Sequence, residues 1–202
     1  MLRKANIAVL VSGGGTNLQA LIDCAAAGKL PHGEIRLVIS NRKRAYALER
    51  AKAAGIETAV LSKVMEPDPK AYDQKLLDIL SAHHIDMVVL AGFLGILGEK
   101  TLGTYENRVI NIHPSLIPAF CGKGYYGLRV HEEALKRGVK VTGATAHLVN
   151  LGVDEGPILI QKAVSVQPGD TPEILQQRVM HEAEWIILPE ATELIARKIV
   201  EG

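Results

Sequence analysis

Short runs of apolar, mostly β-branched residues alternate along this chain with longer stretches of helical periodicity. This alternation is typical of an α/β fold with a largely parallel sheet, because parallel neighbours need a crossover connection that is usually a helix. We predict strands at 7–11, 35–40, 58–61, 87–91, 109–112, 139–149 and 158–166, the last two antiparallel neighbours. Helices are predicted at 17–27, 45–54, 69–83 and 127–137, with a last helix that starts at 171 and is kinked or divided by Pro189.

The pattern therefore predicts a three-layer, mostly parallel, Rossmann-like sheet of about seven strands with a mixed C-terminal half. We expect a single domain over 1–202, formed by a nucleotide-fold half (1–100) and a mixed half (101–202). The 202 residues, 48% of them hydrophobic, are enough to build one full core without disulfides or metal.

The balance of charge limits the partners. The chain has 23 basic and 22 acidic residues, whereas a duplex-binding protein usually carries a basic excess on one face. We therefore expect no nucleic acid and no membrane as partners, and the sequence leaves a homodimer open.

The two cysteines, Cys24 and Cys121, lie far apart in a chain without a recognisable secretory leader, so we expect the protein in the reducing cytoplasm. Cysteine and histidine spacing shows no zinc pattern, and we expect no metal.

The first predicted strand ends in a glycine run that opens a helix, at Gly14, Gly15, Thr16 and Asn17. Glycines let backbone amides approach an anion, and the helix N-terminus then favours negative charge. Leu18 stands where the dinucleotide fingerprint has its last glycine, so the pattern favours a monophosphate over a dinucleotide. A tight turn with a helix cap is the alternative interpretation.

Polar residues follow two later strands. Asn111 and His113 lie two residues apart at the end of the fifth strand, so they share a face, where an amide and an imidazole could polarise a carbonyl and move a proton. Asp154, in the segment between the last two strands, would raise the pKa of His113 if it lay close to it. A structural histidine and a solvated acid are the alternatives. His131 and His147 could line the same cleft.

The segment after the fourth strand, 92–98, has three glycines among apolar residues. Its exposed backbone amides and carbonyls could pair with the edge of a flat heterocycle such as a pterin. An ordinary loop packed on the core remains the alternative.

Four segments together resemble the phosphoribosylglycinamide formyltransferase family, the purine-synthesis enzymes that use 10-formyltetrahydrofolate. They are SGGGTNL at 12–18, AGFL at 91–94, NIHPSLIP at 111–118 and DEGP at 154–157, and they follow the family's order and approximate spacing over nearly the whole chain. The third segment is shared by a wider group of folate formyltransferases, whereas the N-terminal glycine loop favours the ribonucleotide enzymes. The resemblance implies transfer of a formyl group from 10-formyltetrahydrofolate, as co-substrate, to the amine of glycinamide ribonucleotide.

The resemblance also implies roles for individual residues. Asn111, His113 and Asp154 match the catalytic trio. The positions that match ribonucleotide contacts are Gly14, Gly15, Thr16, Asn17 and Glu184. Those that match folate contacts are Leu94, Gly95, Ile96, Leu97, Asn111, Val149 and Asp154, with Lys70 near a position that is basic in some members. The second half, 101–202, would then hold folate and the catalytic groups, and the Ile117–Pro118 bond would be cis.

Two departures from the family pattern stand out. Gly95 occupies a position that is arginine in some members, and the segment 119–126 differs from their shorter version. Within that segment, Lys123 could reach the phosphate or simply face solvent.

Other functions remain open at this point. A methionyl-tRNA formyltransferase would resemble this core plus a C-terminal barrel, and a formyltetrahydrofolate deformylase would add an N-terminal regulatory domain. Outside this chemistry, the alternatives are an NAD-dependent oxidoreductase, which the missing third glycine and ribose-binding acid disfavour, and a non-catalytic scaffold.

Overall fold

The computed structural model describes residues 3–202. The expectation about a secretory leader rests in part on Met1 and Leu2, which lie outside the described residues. One seven-stranded sheet runs through the molecule in the order β3-β2-β1-β4-β5-β6-β7. Its strands are β1 (Ala5–Val11), β2 (Gly33–Ser40), β3 (Glu57–Val60), β4 (Met87–Leu90), β5 (Val109–His113), β6 (Val141–Leu148) and β7 (Ile158–Ser165). Each overlaps a strand predicted from the sequence.

The first five strands are parallel, whereas β6 and β7 are antiparallel to their neighbours. The mostly parallel sheet with a mixed C-terminal half is thus confirmed. The division into halves at 1–100 and 101–202 stays a prediction, since both parts contribute strands to the same sheet.

Helices cover both faces of the sheet. They are α1 (Thr16–Ala26), α2 (Tyr46–Ala53), α3 (Pro69–Ala82), α4 (Glu99–Thr104), α5 (Leu128–Arg137), α6 (Pro172–Val179) and α7 (Trp185–Glu201). One apolar core lies between the sheet and α1, α2, α6 and α7, and a second lies between the sheet and α3 and α4. This is the predicted three-layer arrangement. No helix within residues 3–202 is both long enough and apolar enough to cross a membrane.

Local signals explain where two helices begin. The Asp68 carboxylate accepts a hydrogen bond from the Ala71 amide at 3.0 Å, with Pro69 at the first helical position of α3. The Thr171 hydroxyl accepts from the Ile174 amide in the same way at the start of α6. Both starts agree with the sequence.

The last helical segment differs from its prediction. It is divided, but by a turn of π-helix at Met180–Glu184 rather than at Pro189, which lies inside α7. Pro189 has no N–H to donate to the preceding turn of the helix. The π turn at Met180–Glu184 lies about one turn before Pro189, and it is there that the regular hydrogen-bond pattern of the helix is interrupted. This π turn ends on Glu184, a predicted ribonucleotide contact.

Candidate active site

The glycine loop leaves β1 and enters α1 with its backbone exposed. Gly13 and Gly14 are exposed, and Gly15 has the positive φ of 74° that glycine tolerates best. The Ser12 hydroxyl accepts a hydrogen bond from the Leu94 amide at 2.8 Å. This bond joins the predicted phosphate loop to the predicted folate loop.

Asn17 and Glu184 meet behind the glycine loop. The Asn17 amide Nδ2 donates to Oε2 of Glu184 at 2.6 Å, and both side chains are buried. Burial raises the pKa of Glu184, and the hydrogen bond from Asn17 opposes this only in part. Nothing among residues 3–202 donates a hydrogen bond to the buried Oδ1 of Asn17. The pair therefore retains hydrogen-bonding capacity that a polyhydroxylated ligand could use.

The predicted catalytic trio is in direct contact. Ile110 and Ile112 of β5 join the core on the α7 side, so the alternation of the strand turns Asn111 and His113 to the opposite face. Asp154 reaches both, because its Oδ2 lies 3.5 Å from Nδ1 of His113 and its Oδ1 lies 3.4 Å from Nδ2 of Asn111. Residues 43 positions apart in the sequence are thereby gathered around one point.

Asp154 does act to raise the pKa of His113, as predicted, but the net shift is downward, so the expectation of a charged imidazole is wrong. Burial, with the residue only 4% exposed, lowers the pKa of His113 and outweighs the opposing effects of the Phe120 carbonyl and of Asp154. Nε2 of His113 lies 2.9 Å from the Phe120 carbonyl oxygen, which can only accept, so Nε2 carries the hydrogen. The lone pair of the neutral ring is then on Nδ1, facing Asp154.

Asp154 stays charged for a different reason. Burial disfavours its charge, but the imidazoles of His147 and His113, which favour the carboxylate whenever they carry a proton towards it, and the Gly122 amide, which donates to Oδ2 at 2.9 Å, together outweigh burial. The net result is a lowered pKa for Asp154. The site thus pairs an ionised carboxylate with a neutral imidazole.

His147 orients the Asn111 side chain. Nδ1 of His147 lies 2.8 Å from the Leu148 carbonyl oxygen and must carry the hydrogen, which leaves Nε2 to accept from Asn111 Nδ2 at 3.1 Å. This bond fixes which way the amide points. The second N–H of Asn111 faces the longer, 3.4 Å contact to Asp154, which a substrate oxygen could replace.

His131, the other histidine expected near the cleft, is fully buried in α5 close enough to His113 for their charges to interact. Among the described residues neither of its ring nitrogens has a hydrogen-bond partner. Burial, and then the charge of His113, lower the pKa of His131 to about 4.

Most of the predicted folate contacts line one cavity of about 130 Å³ beside the trio. These are Gly95, Ile96, Leu97, Asn111, Val149 and Asp154. Leu94 lines an adjoining cavity of about 240 Å³ that shares Gly95 and Ile96 with the first and includes Arg42 and Lys63. Lys70 lines neither cavity, so its folate contact stays a prediction.

Two backbone groups of the atypical segment 119–126 also belong to this site, and the sequence analysis did not identify them. The Phe120 carbonyl holds His113 and the Gly122 amide holds Asp154. Both residues have positive φ, at 50° and 87°. Backbone contacts leave no side-chain pattern to detect, although the two glycines at 122 and 124 are a signal of special backbone geometry. The Ile117–Pro118 peptide before this segment is cis, as expected.

Comparison with known proteins shows which family the chain belongs to. The formyl transferase family model matches residues 5–192. The chain belongs to the formyl transferase family. It is 41% identical over 181 residues to phosphoribosylglycinamide formyltransferase of Escherichia coli (strain K12), covering 90% of this chain and 82% of that one. The crystal structure of glycinamide ribonucleotide transformylase 1 from Symbiobacterium toebii superposes with a TM-score of 0.90 at 44% identity, covering 96% of this chain and 89% of that one.

Some relatives in this formyl transferase family are longer. The chain is 39% identical to the chloroplastic phosphoribosylglycinamide formyltransferase of Arabidopsis thaliana, covering 89% of this chain and 62% of that protein. It is 42% identical to the trifunctional purine biosynthetic protein adenosine-3 of Bos taurus, covering 96% of this chain and 18% of that protein. The chain therefore spans less than two thirds of the length of these two relatives.

Proposed function

We propose that the chain transfers the formyl group of 10-formyltetrahydrofolate to the amine of glycinamide ribonucleotide, giving formylglycinamide ribonucleotide and tetrahydrofolate. The observation that carries this proposal is the contact of Asn111, His113 and Asp154 beside the exposed glycine loop. The names of the relatives in E. coli and A. thaliana support the same reaction.

The two substrates would approach from different sides. The apolar cavity beside Leu97 and Val149 suits a flat heterocycle, and the backbone of 94–97 can hydrogen-bond to its edge. The glycine loop with the first turn of α1 suits the phosphate, and the Asn17–Glu184 pair suits the ribose hydroxyls. The 2.8 Å bond between Ser12 and Leu94 keeps the two binding regions in register.

In the reaction, the amine nitrogen attacks the formyl carbon while it is still bound to N10 of the folate. Negative charge then develops on the formyl oxygen, and the second N–H of Asn111, whose amide is oriented by His147, exchanges its contact with Asp154 for this oxygen. Collapse of this intermediate breaks the bond between the formyl carbon and N10.

The proton balance requires one transfer. The attacking amine becomes positively charged and must lose a proton, while N10 must gain one as it leaves. Neutral His113 can accept that proton at Nδ1, where the resulting imidazolium faces the Asp154 carboxylate at 3.5 Å, and can then release it to N10. Asn111 would thus stabilise the oxyanion, and His113 would carry the proton from the amine to N10.

The test is a formyl-transfer assay with the purified protein. 10-Formyltetrahydrofolate is mixed with the protein, with and without glycinamide ribonucleotide, and the release of tetrahydrofolate is followed by absorbance. We expect turnover only with the ribonucleotide. Equal turnover without it would assign a deformylase instead, and tight NAD binding without turnover would favour the oxidoreductase class.

We also propose the cytoplasm as its compartment and small molecules as its ligands. Cys24 and Cys121 are both free thiols, which suits a reducing environment. A homodimer stays a prediction.

A further inference from the structure

Arg50, which no motif singled out, reaches from α2 back to the glycine loop. Its Nε donates to the Gly14 carbonyl oxygen at 2.8 Å, and one of its terminal nitrogens donates to Oε1 of Gln19 at 3.0 Å. The guanidinium also lies over the ring of Tyr46, 5.0 Å from its centroid. Three contacts in different directions hold this half-buried side chain in one place.

Helix α2 makes two more contacts with the same loop. The Ala47 amide donates to the Gly13 carbonyl oxygen at 3.1 Å. Gly15 packs so tightly against this helix that a Cβ on it would lie 2.6 Å from the Cβ of Ala47. The loop is therefore fixed against α2 at three successive residues.

These contacts determine where the loop amides point. In a planar trans peptide, the C=O of one residue and the N–H of the next point in opposite directions. Because Ala47 and Arg50 hold the carbonyls of Gly13 and Gly14 toward α2, the N–H groups of Gly14 and Gly15 point away from it. Within residues 3–202, neither N–H donates to a backbone carbonyl in a turn or loop contact.

We propose that Arg50 is a positioning residue for the phosphate of the ribonucleotide, acting through the Gly14 carbonyl to aim loop amides at the phosphate. This inference rests on the proposed function, because that function identifies the glycine loop as the phosphate site. The side chain also places a positive charge next to the loop, with donors beyond the two used here. Loss of Arg50 should thus weaken phosphate binding and leave formyl transfer itself unchanged.

The experiment compares Arg50→Ala with wild type on two substrates, glycinamide ribonucleotide and the same nucleoside without its phosphate. Removing one charge-assisted hydrogen bond should raise the KM for the ribonucleotide roughly tenfold. The kcat at saturation and the KM for 10-formyltetrahydrofolate should stay within about twofold of wild type. On the phosphate-free nucleoside, both proteins should have the same kcat/KM. Equal losses on both substrates, or an unchanged KM for the ribonucleotide, would overturn the proposal.

Two further variants distinguish an effect of the position of the Arg50 donors from an effect of its charge, and from a general effect on folding. Arg50→Lys keeps the charge but lacks the planar fork by which two different nitrogens reach Gly14 and Gln19, so we expect most of the rise in KM to persist. A wild-type KM would assign the effect to charge alone and overturn a positioning role. Lys52→Ala, on the same helix and exposed, is the matched control and should leave KM unchanged. Thermal unfolding of each variant shows whether it is folded.

A parallel measurement distinguishes this inference from the proposed function. Binding of ribose 5-phosphate by calorimetry needs no catalysis, and Arg50→Ala should weaken it roughly tenfold relative to wild type and to Lys52→Ala. If wild type binds ribose 5-phosphate but transfers no formyl group, the proposed reaction fails while the role of Arg50 stands. If wild type and Arg50→Ala bind it equally, the role of Arg50 fails whatever the reaction.

Discussion

The glycine-loop region and the end of β5 each contain a largely buried carboxyl group, and their surroundings have opposite effects. Glu184, behind the glycine loop, receives a single hydrogen bond from Asn17, and burial raises its pKa. Asp154, beside β5, is surrounded by two imidazoles, a side-chain amide and the Gly122 amide, and its pKa is lowered. Glu184 is the more deeply buried of the two and has the fewer partners, and both differences favour its neutral form over that of Asp154.

The two regions also differ in how far protein groups satisfy their polar side chains. At the end of β5, the groups that would carry out chemistry are held by protein partners on most sides, which preorganises them. Near the glycine loop, the Oδ1 of Asn17 has no partner among residues 3–202, and capacity remains for a ligand. Four predictions test this contrast.

The largest effect is expected for Asp154→Asn. The amide cannot stabilise an imidazolium on His113, so kcat should fall at least a hundredfold, equivalent to about 3 kcal/mol of barrier. Steady-state kinetics with both substrates at saturation measure it. Glu155→Gln, an exposed acid in the same loop, is the control and should keep near-normal turnover. Near-normal turnover from Asp154→Asn itself would remove Asp154 from the mechanism.

His131 offers a second comparison, because its imidazole is buried with no hydrogen-bond partner among residues 3–202. Its pKa of about 4 in the folded protein lies below 6.5, so the unfolded chain binds its proton first as the pH falls, and stability is lost from about pH 6.5 down to about pH 4. Between pH 7 and pH 5, His131 should cost about 2 kcal/mol of unfolding free energy. Urea unfolding of His131→Leu should show a correspondingly smaller loss over this interval. An identical loss in both proteins would contradict the lowered pKa.

His147 tests whether the groups at β5 depend on their partners for orientation. His147→Phe removes the acceptor that holds the Asn111 amide, and kcat should fall roughly tenfold, the scale of one hydrogen bond. His147→Gln restores an acceptor and should recover part of this loss. If both variants lose the same activity, packing rather than orientation explains the effect.

The smallest effect is expected for Glu184→Gln. Because the folded protein raises the pKa of Glu184, it retains a proton that the unfolded chain releases, and stability falls as the pH rises from about 4.5 through the folded pKa. Glutamine can keep the bond from Asn17 without this pH dependence, so the decline should become shallower. Unfolding curves at a series of pH values measure it; an unchanged slope would mean that Glu184 is not protonated more readily in the folded state.

The sequence predicted the strands and the contact between Asn111, His113 and Asp154 because these rest on local periodicity and on a family pattern. It missed α4, a six-residue helix that follows Gly98 and contains Gly103, because the Asp73 carboxylate of α3 accepts hydrogen bonds from the amides of Lys100 and Thr101 at its start. That contact spans 27 residues, so no local window contains it.

The direction of the pKa shift of His113 could not be predicted from the sequence, because it too depends on distant parts of the chain. Its nearest charge, Asp154, could be guessed, but the burial that lowers its pKa depends on the whole surrounding fold. The contacts of Arg50 and Phe120 likewise involve carbonyl oxygens, which every residue carries and which no motif records.

The Asp154 carboxylate connects two surface segments and also contacts the His113 imidazole. It belongs to the connection between β6 and β7, and through Gly122 it also tethers the segment that follows the cis proline. A single carboxylate therefore links two stretches of chain that are distant in the sequence. Neutralising it, by acid or by substitution, would release both at once, so cleavage by a protease should increase in the two stretches together.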